Sequence, residues 1–298
     1  LVAALTFLSA AVPSAATDYE IVTFKVPTAP ITGGRGLNDA GCVAGYYQTD
    51  VVDFSTAHAL RLCGGVIDTV NPPTSLADRR AFDVNDAGTL VGSALRTMGQ
   101  AGFELAGGTY TWVEYPAAEL TVIRGINNLG DVVGEYELAD GVRHAFARVA
   151  GLFSNVDVPG AASSRARGIN DVGEIVGHYD DAGGLRHGFF RSAAGATTTI
   201  DYPGAVQSLV GGINNARDMV GTYFDGGGMP HGFLSSAGVF DAFDVPGAFG
   251  TIATGINETG QITGEFTDNL GIRRGFVATP YLFTDGFESG DTSAWSVP

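Results

Sequence analysis

Short apolar words that end at glycine recur along this chain: CVAG, TLVG, DVVG, EIVG, DMVG and QITG. Each follows an asparagine in a G-I-N or related word, at Asn38, Asn85, Asn127, Asn170, Asn214 and Asn257, so the spacings are 47, 42, 43, 44 and 43 residues. An Asn-Asp-x-Gly turn between two short apolar runs predicts a β-hairpin, because glycine takes the positive φ and Asn or Asp bonds its own backbone. About ten to fifteen residues further on comes an H-G-F word, at His58-Ala59-Leu60, Ala101-Gly102-Phe103, His144-Ala145-Phe146, His187-Gly188-Phe189, His231-Gly232-Phe233 and Arg274-Gly275-Phe276. A fourth run then leads into a proline: TFKVP, TVNPP, WVEYP, NVDVP, TIDYP and AFDVP. Proline cannot donate to a ladder, so it marks where this strand leaves its sheet.

The pattern predicts four short strands in about 43 residues, six times over, which is the content of one propeller blade per repeat. The chain ends support a closed ring over an open stack. The sixth copy has a hairpin and an H-G-F equivalent but no fourth strand, while an extra strand, Tyr19 to Pro27, precedes the first G-I-N word. A split blade completed from the opposite terminus hides sheet edges. The expectation is an all-β, six-bladed β-propeller over 17–280, closed by the N-terminal strand, with residues 281–298 as a C-terminal tail outside the repeat.

Composition narrows the setting. Apolar residues make up 45% of 298, enough for a real core, and the Gly excess, 44 residues against 12 Pro, suits many tight turns. The formal charge of −16 argues against nucleic acid and against an anionic membrane surface as partners. Residues 1–16, LVAALTFLSAAVPSAA, read as part of a secretory signal peptide, with Ser14 and Ala16 at the −3 and −1 positions of a cut before Thr17. That implies an extracellular protein, the periplasm being the other compartment open to it, and no transmembrane segment is read in the chain. Cys42 and Cys63 both lie in the first repeat; an oxidising compartment permits them to form a disulfide staple.

Taken together, the words D-V-P-G-A, G-I-N and H-G-F resemble the extracellular HAF-repeat family of bacterial secreted proteins, over about Tyr19 to Pro280. His58-Ala59-Leu60 and His144-Ala145-Phe146 show the H-A-F form of the word, and His187-Gly188-Phe189 and His231-Gly232-Phe233 the H-G-F form. The resemblance implies a secreted repeat protein, for which the family as a whole has no established activity. The tail from Asp285 through Trp295 looks like a short C-terminal word found on other secreted bacterial proteins.

The candidate chemistry is sparse. His58, His144, His187 and His231 fall on separate repeats, too far apart to share a metal, and read as strand-end histidines bonded to neighbouring backbone. His178 reads as part of a polar loop with Asp180 and Asp181. Asp180, Asp225 and Asp268 lack the company a calcium loop needs and read as solvated hairpin tips. The repeated acid before the exit proline, Asp157, Asp201 and Asp244, belongs to the fold. The sequon Asn257-Glu258-Thr259 falls in the repeated turn. No metal, cofactor or catalytic constellation is expected.

Function should show where the copies differ. Three residues before the asparagine they read Arg35, Phe82, Arg124, Arg167, Gly211 and Thr254. If this strand borders an axial channel, three arginines make a positive spot suited to a carboxylate or sulfate. The alternative pairs each arginine with an acid of the adjacent blade. The functional expectation is a non-enzymatic binding or structural module of the cell exterior, with a polysaccharide or cell-envelope component as partner. A polysaccharide-active hydrolase or lyase is the competing reading, by fold analogy.

Overall fold

The computed structural model describes residues 19–281. The signal-peptide reading of residues 1–16 and the tail reading from 282 onward lie outside the described residues. Its regular structure is all strand apart from one 3₁₀ turn at Phe54–Thr56.

After β1 (Tyr19–Phe24) the strands come in fours. The first set is β2 (Ile31–Leu37), β3 (Val43–Gln48), β4 (Ala57–Cys63) and β5 (Val66–Thr69). The second is β6 (Ala77–Val84), β7 (Leu90–Arg96), β8 (Gly99–Ala106) and β9 (Thr109–Val113). The third is β10 (Leu120–Ile126), β11 (Val132–Glu137), β12 (Arg143–Val149) and β13 (Leu152–Asn155). The fourth is β14 (Ser163–Ile169), β15 (Ile175–Asp180), β16 (Arg186–Arg191) and β17 (Thr197–Ile200). The fifth is β18 (Gln207–Ile213), β19 (Met219–Phe224), β20 (Pro230–Ser236) and β21 (Val239–Phe243). The last has only β22 (Gly250–Ile256), β23 (Ile262–Thr267) and β24 (Arg273–Pro280).

Within each set the strands pair antiparallel in chain order. The short last set is completed by β1, which runs antiparallel along β24 with Tyr19 opposite Pro280 and Phe24 opposite Gly275. The first strands of the sets lie side by side: β2 touches β6, β6 touches β10, and so on through β14, β18 and β22, which touches β2 again.

Each word of the repeat has a packing reason. The phenylalanine of H-G-F is fully buried in every set that carries it: Phe103, Phe146, Phe189, Phe233 and Phe276. Leu60 fills the same place in the first set. Each such ring contributes roughly 1.5–3 kcal/mol of burial. The glycine closing each apolar word is required by close approach. A Cβ at Gly134 or Gly177 would collide with the carbonyl of Val122 or Arg165 on the first strand, and with the Phe146 or Phe189 ring beneath it.

The histidines correct the sequence reading. His144, His187 and His231 do not bond neighbouring backbone; their Nδ1 atoms meet the carboxylates of Asp157, Asp201 and Asp244, each at 2.7 Å. His58 meets Asn71 in the same way, at 2.8 Å. The same acids also accept from the backbone amides of Ala145, Gly188 and Gly232. The repeated acid and the repeated histidine are therefore one clamp across the outer two strands. The sulfurs of Cys42 and Cys63 are bonded, with Cα atoms 4.4 Å apart.

Candidate functional site

A channel of about 380 Å³ runs along the first strands of the sets. Its construction starts at the asparagines, all of them buried. Each Oδ1 accepts the backbone N–H four residues on, at 2.9 Å, which closes its own hairpin. Each Nδ2 donates to the main-chain carbonyl of the next asparagine round, at 3.0–3.3 Å, and Asn257 donates to Asn38. Aspartate could do the first task but not the second, because it lacks a donor. The sequon at Asn257 is thus a buried structural amide.

The next residue along forms a second, exposed ring. The backbone N–H groups of Asp39, Asp86, Asn128, Asp171, Asn215 and Glu258 each donate to the side chain of the neighbour in the following set, at 2.7–3.0 Å. This rim is acidic. Partial burial, with Asp39, Asp171 and Asp86 nearby, raises the Glu258 carboxyl although Asn215 N–H bonds oppose the shift.

Deeper along the same strands the channel wall turns basic. Arg35, Arg80, Arg124 and Arg167 all line it. Arg35, Arg124 and Arg167 are the residues singled out by sequence, and the fold brings them to one cavity. Arg35 reaches Glu265 at 3.3 Å in the neighbouring set and donates to the Tyr46 hydroxyl at 3.2 Å. Arg124 pairs with Glu135 of its own set at 2.7 Å, over the Phe82 ring. Arg80 meets Asp78 at 2.8 Å and lies over the Tyr46 ring. Arg167 has no ion pair or hydrogen bond among the described residues, and its Nε is buried without a partner. Adjacent-acid pairing therefore accounts for Arg35, same-set pairing for Arg124, and neither for Arg167. Burial and the neighbouring Arg124 pull the Arg167 guanidinium down to about 9, which leaves it cationic at neutral pH.

The acids here are outnumbered. Glu135, 2% exposed, takes Arg124 at 2.7 Å, Arg143 at 3.4 Å and Arg165 at 3.7 Å. Burial alone would raise its carboxyl, but Arg124, Arg167 and Arg165 together hold it at about 2. Its Oε2 still lacks a hydrogen-bond donor.

Sequence reasoning missed the residue after the closing glycine of each apolar word: Tyr46, Ser93, Glu135, His178, Thr222 and Glu265, all buried. The signal was available, since this position carries five residue types in six copies beside an invariant glycine. His178 is a correction: it sits inside β15 at 1% exposure, not in a polar loop. Burial first, then Arg167, Arg186, Arg165 and Arg124, push it well below the ordinary imidazole range, so it is neutral, with Nδ1 unpartnered. Asp180 is also no hairpin tip; it ends β15 and pairs with Arg165 at 3.0 Å and Arg186 at 2.9 Å. Asp181 takes the tip instead, as Asp225 and Asp268 do, each Oδ1 accepting two backbone N–H groups.

Among the described residues no group of three or more His, Cys, Asp or Glu side chains is arranged to hold a metal ion. None of their helices is long and apolar enough to cross a membrane.

No protein-family model and no curated protein matches the chain. Solved structures do. TolB from Acinetobacter baumannii is similar with a TM-score of 0.56 at 10% identity over 81% of this chain, which spans 64% of the TolB chain. A gluconolactonase from Xanthomonas campestris gives a TM-score of 0.53 at 11% identity, covering 94% of this chain and 98% of that one. The Aleuria aurantia lectin, in a complex with Fucα1-6GlcNAc, gives 0.52 at 8% identity, covering 89% and 99%. At such identities the likeness defines the fold alone: the chain is an all-β protein of the β-propeller class.

Proposed function

We propose that the chain is a six-bladed propeller, closed by β1, that acts outside the cell or in the periplasm as a non-catalytic binding module for an anionic saccharide. Membership of the HAF-repeat family, suggested by the H-A-F and H-G-F words, is part of that proposal. The asparagine ring, returning from Asn257 to Asn38, supports the blade count and the closure. A fucose-bearing lectin complex among similar folds agrees with a polysaccharide or cell-envelope partner.

The observation that carries the reading is Arg167. A guanidinium that feels Glu135 but makes no ion pair or hydrogen bond with it, in a channel where Arg35 and Arg124 bond Glu265 and Glu135, is a receptor for a carboxylate or sulfate supplied from outside. The acidic rim above it favours a ligand that also carries hydroxyl donors over a bare anion.

The hydrolase or lyase reading finds its best candidate in Asp83, which lines the channel and is pushed up to about 7 by burial. Its two oxygens are committed to the backbone amides of Val84 at 2.9 Å and Ile126 at 3.0 Å. That is the posture of a structural acceptor filling the place glycine holds in the other sets. A glycan array probed with residues 17–298 and with its Arg167→Gln variant tests the proposal. Uronate- or sulfate-bearing glycans should be retained by the wild type and largely lost by the variant. Retention of neutral glycans alone, or identical profiles, would refute it.

A further inference from the structure

The residue before the exit proline is tyrosine at two of six places, Tyr115 and Tyr202, and Val26, Asn71, Val158 or Val245 at the others, and the difference has a structural result. Tyr115 lies flat on Tyr136 of the following set, with ring centroids 3.7 Å apart and planes 6° from parallel. Tyr202 does the same to Tyr223, at 3.9 Å and 3°. Tyr136 and Tyr223 are in turn stacked on His144 and His231, both at 5.1 Å. At the junction of the third and fourth sets the inner half of that stack is intact, with Tyr179 on His187 at 5.3 Å. The outer ring is missing, because the residue before Pro159 is Val158. A groove of about 380 Å³ opens there, lined by Val158, Pro159, Tyr179, Asp181, Thr197 and Thr199.

We infer that this groove is a second saccharide subsite, which takes a neutral pyranose ring flat against Tyr179. The chain itself shows what fits such a face, since two sister junctions place a flat six-membered ring on it. The chemistry of the rim selects the kind of ring. An aromatic floor with a few convergent polar groups suits a ligand with one apolar face and an edge of hydroxyls. Asp181 uses Oδ1 for the backbone amides of Gly183 and Leu185, while Oδ2 faces His187 Nε2 at 3.6 Å and keeps room for a hydroxyl donor. Thr199 shares a hydrogen bond with the Tyr179 hydroxyl at 3.0 Å and can still bond a ligand, and the Thr197 hydroxyl adds a further donor and acceptor. The groove shares no lining residue with the channel, so the inference stands apart from the anion reading.

The test follows from the repeat. Val158→Tyr installs the ring that Tyr115 and Tyr202 supply elsewhere, so it should fold as the wild type does and fill the groove. Saturation-transfer NMR with the methyl pyranosides of glucose, galactose, mannose and fucose should show transfer to the ring C–H protons of at least one. That transfer should vanish in Val158→Tyr, fall at least tenfold in Tyr179→Ala and persist in Arg167→Gln. Should Val158→Tyr melt below the wild type, Tyr179→Leu, which keeps bulk without the ring, serves in its place. No transfer from any of the four sugars, or transfer unchanged in the filled variant, overturns the inference. Transfer confined to an indole probe would overturn the ligand class.

Discussion

Asn257 donates from its side-chain amide to the main-chain carbonyl of Asn38, 3.0 Å away and 219 positions earlier. The same bond joins every other neighbouring pair of these asparagines, so one residue type both closes a hairpin and ties each set to the next. Replacing Asn257 by Asp keeps the acceptor and deletes the donor. It takes away one of the two donors to the Asn38 carbonyl, which keeps the Gly41 N–H, loses the bond to Gln261 Oε1 and places a charge in a buried site. Urea unfolding should show a loss of about 1–3 kcal/mol, whereas Asn215→Asp on the exposed ring should change far less.

The edge of β24 is covered only because Tyr19–Phe24 returns to it. Phe24 is 3% exposed and packs where Gly275 leaves room. Phe24→Ala should cost about 3–5 kcal/mol by the ordinary scale for a buried phenylalanine. The loss should appear as one cooperative transition, because β1 completes the last set, which the asparagine bonds tie to its neighbours. A separate early transition with most of the stability retained would mean that the N-terminal strand is an accessory.

Asp83 gives the protein a pH dependence of a recognisable sign. Burial raises its carboxyl to about 7 against an ordinary 3.8, so the native state holds a proton that the unfolded chain has released. Stability from this group is complete below pH 3.8 and falls as pH rises towards 7, by at most roughly 4 kcal/mol. Glu135 and Asp180, both held at about 2, act oppositely and lose their contribution as pH falls towards that value. Asp83→Asn should flatten the slope of Tm between pH 4 and 7 and leave the acid limb intact.

Two of the outer clamps add a histidine dependence. Hydrogen bonds to the carboxylates of Asp201 and Asp244 raise His187 and His231 above the ordinary 6.5, against a smaller opposing effect of burial. Their stabilisation is present below 6.5 and lost as pH rises through the raised value. In the double variant His187→Gln and His231→Gln, the decline of Tm as pH rises above 6.5 should become shallower. An unchanged decline would show that the clamps contribute nothing to stability.

Much of this architecture is written in the repeated words. The turn at each G-I-N, the exit at each proline and the extra strand at Tyr19 are local or counting signals, and the pairing of β1 with β24 agrees with them. What the words do not show is the partner across a set boundary. Asn38 reads correctly as a turn residue, but its donation to Asn85 needs the neighbouring set in place. His187 and Asp201 are a strand apart, and only the register of β16 on β17 brings them together. Arg35, Arg124 and Arg167 were found because they break the repeat. Arg80, on the second set, was missed: it sits two residues before Phe82 and reaches the same cavity through the period-two alternation of a strand. Glu135 escaped, and His178 was placed in a loop, because a polar residue just after an apolar word looks, in sequence, like a surface position.

The central functional claim is that Arg167 is the anion receptor of the channel. Calorimetric titration of glucuronate into the wild type, Arg167→Gln and the outer-surface control Arg61→Gln, each at low and high salt, tests it most directly. The account predicts binding by the wild type and by the control that weakens with salt, and a loss of about tenfold or more in Arg167→Gln, as removal of one charge-assisted bond implies. Equal affinity in the wild type and Arg167→Gln would contradict it.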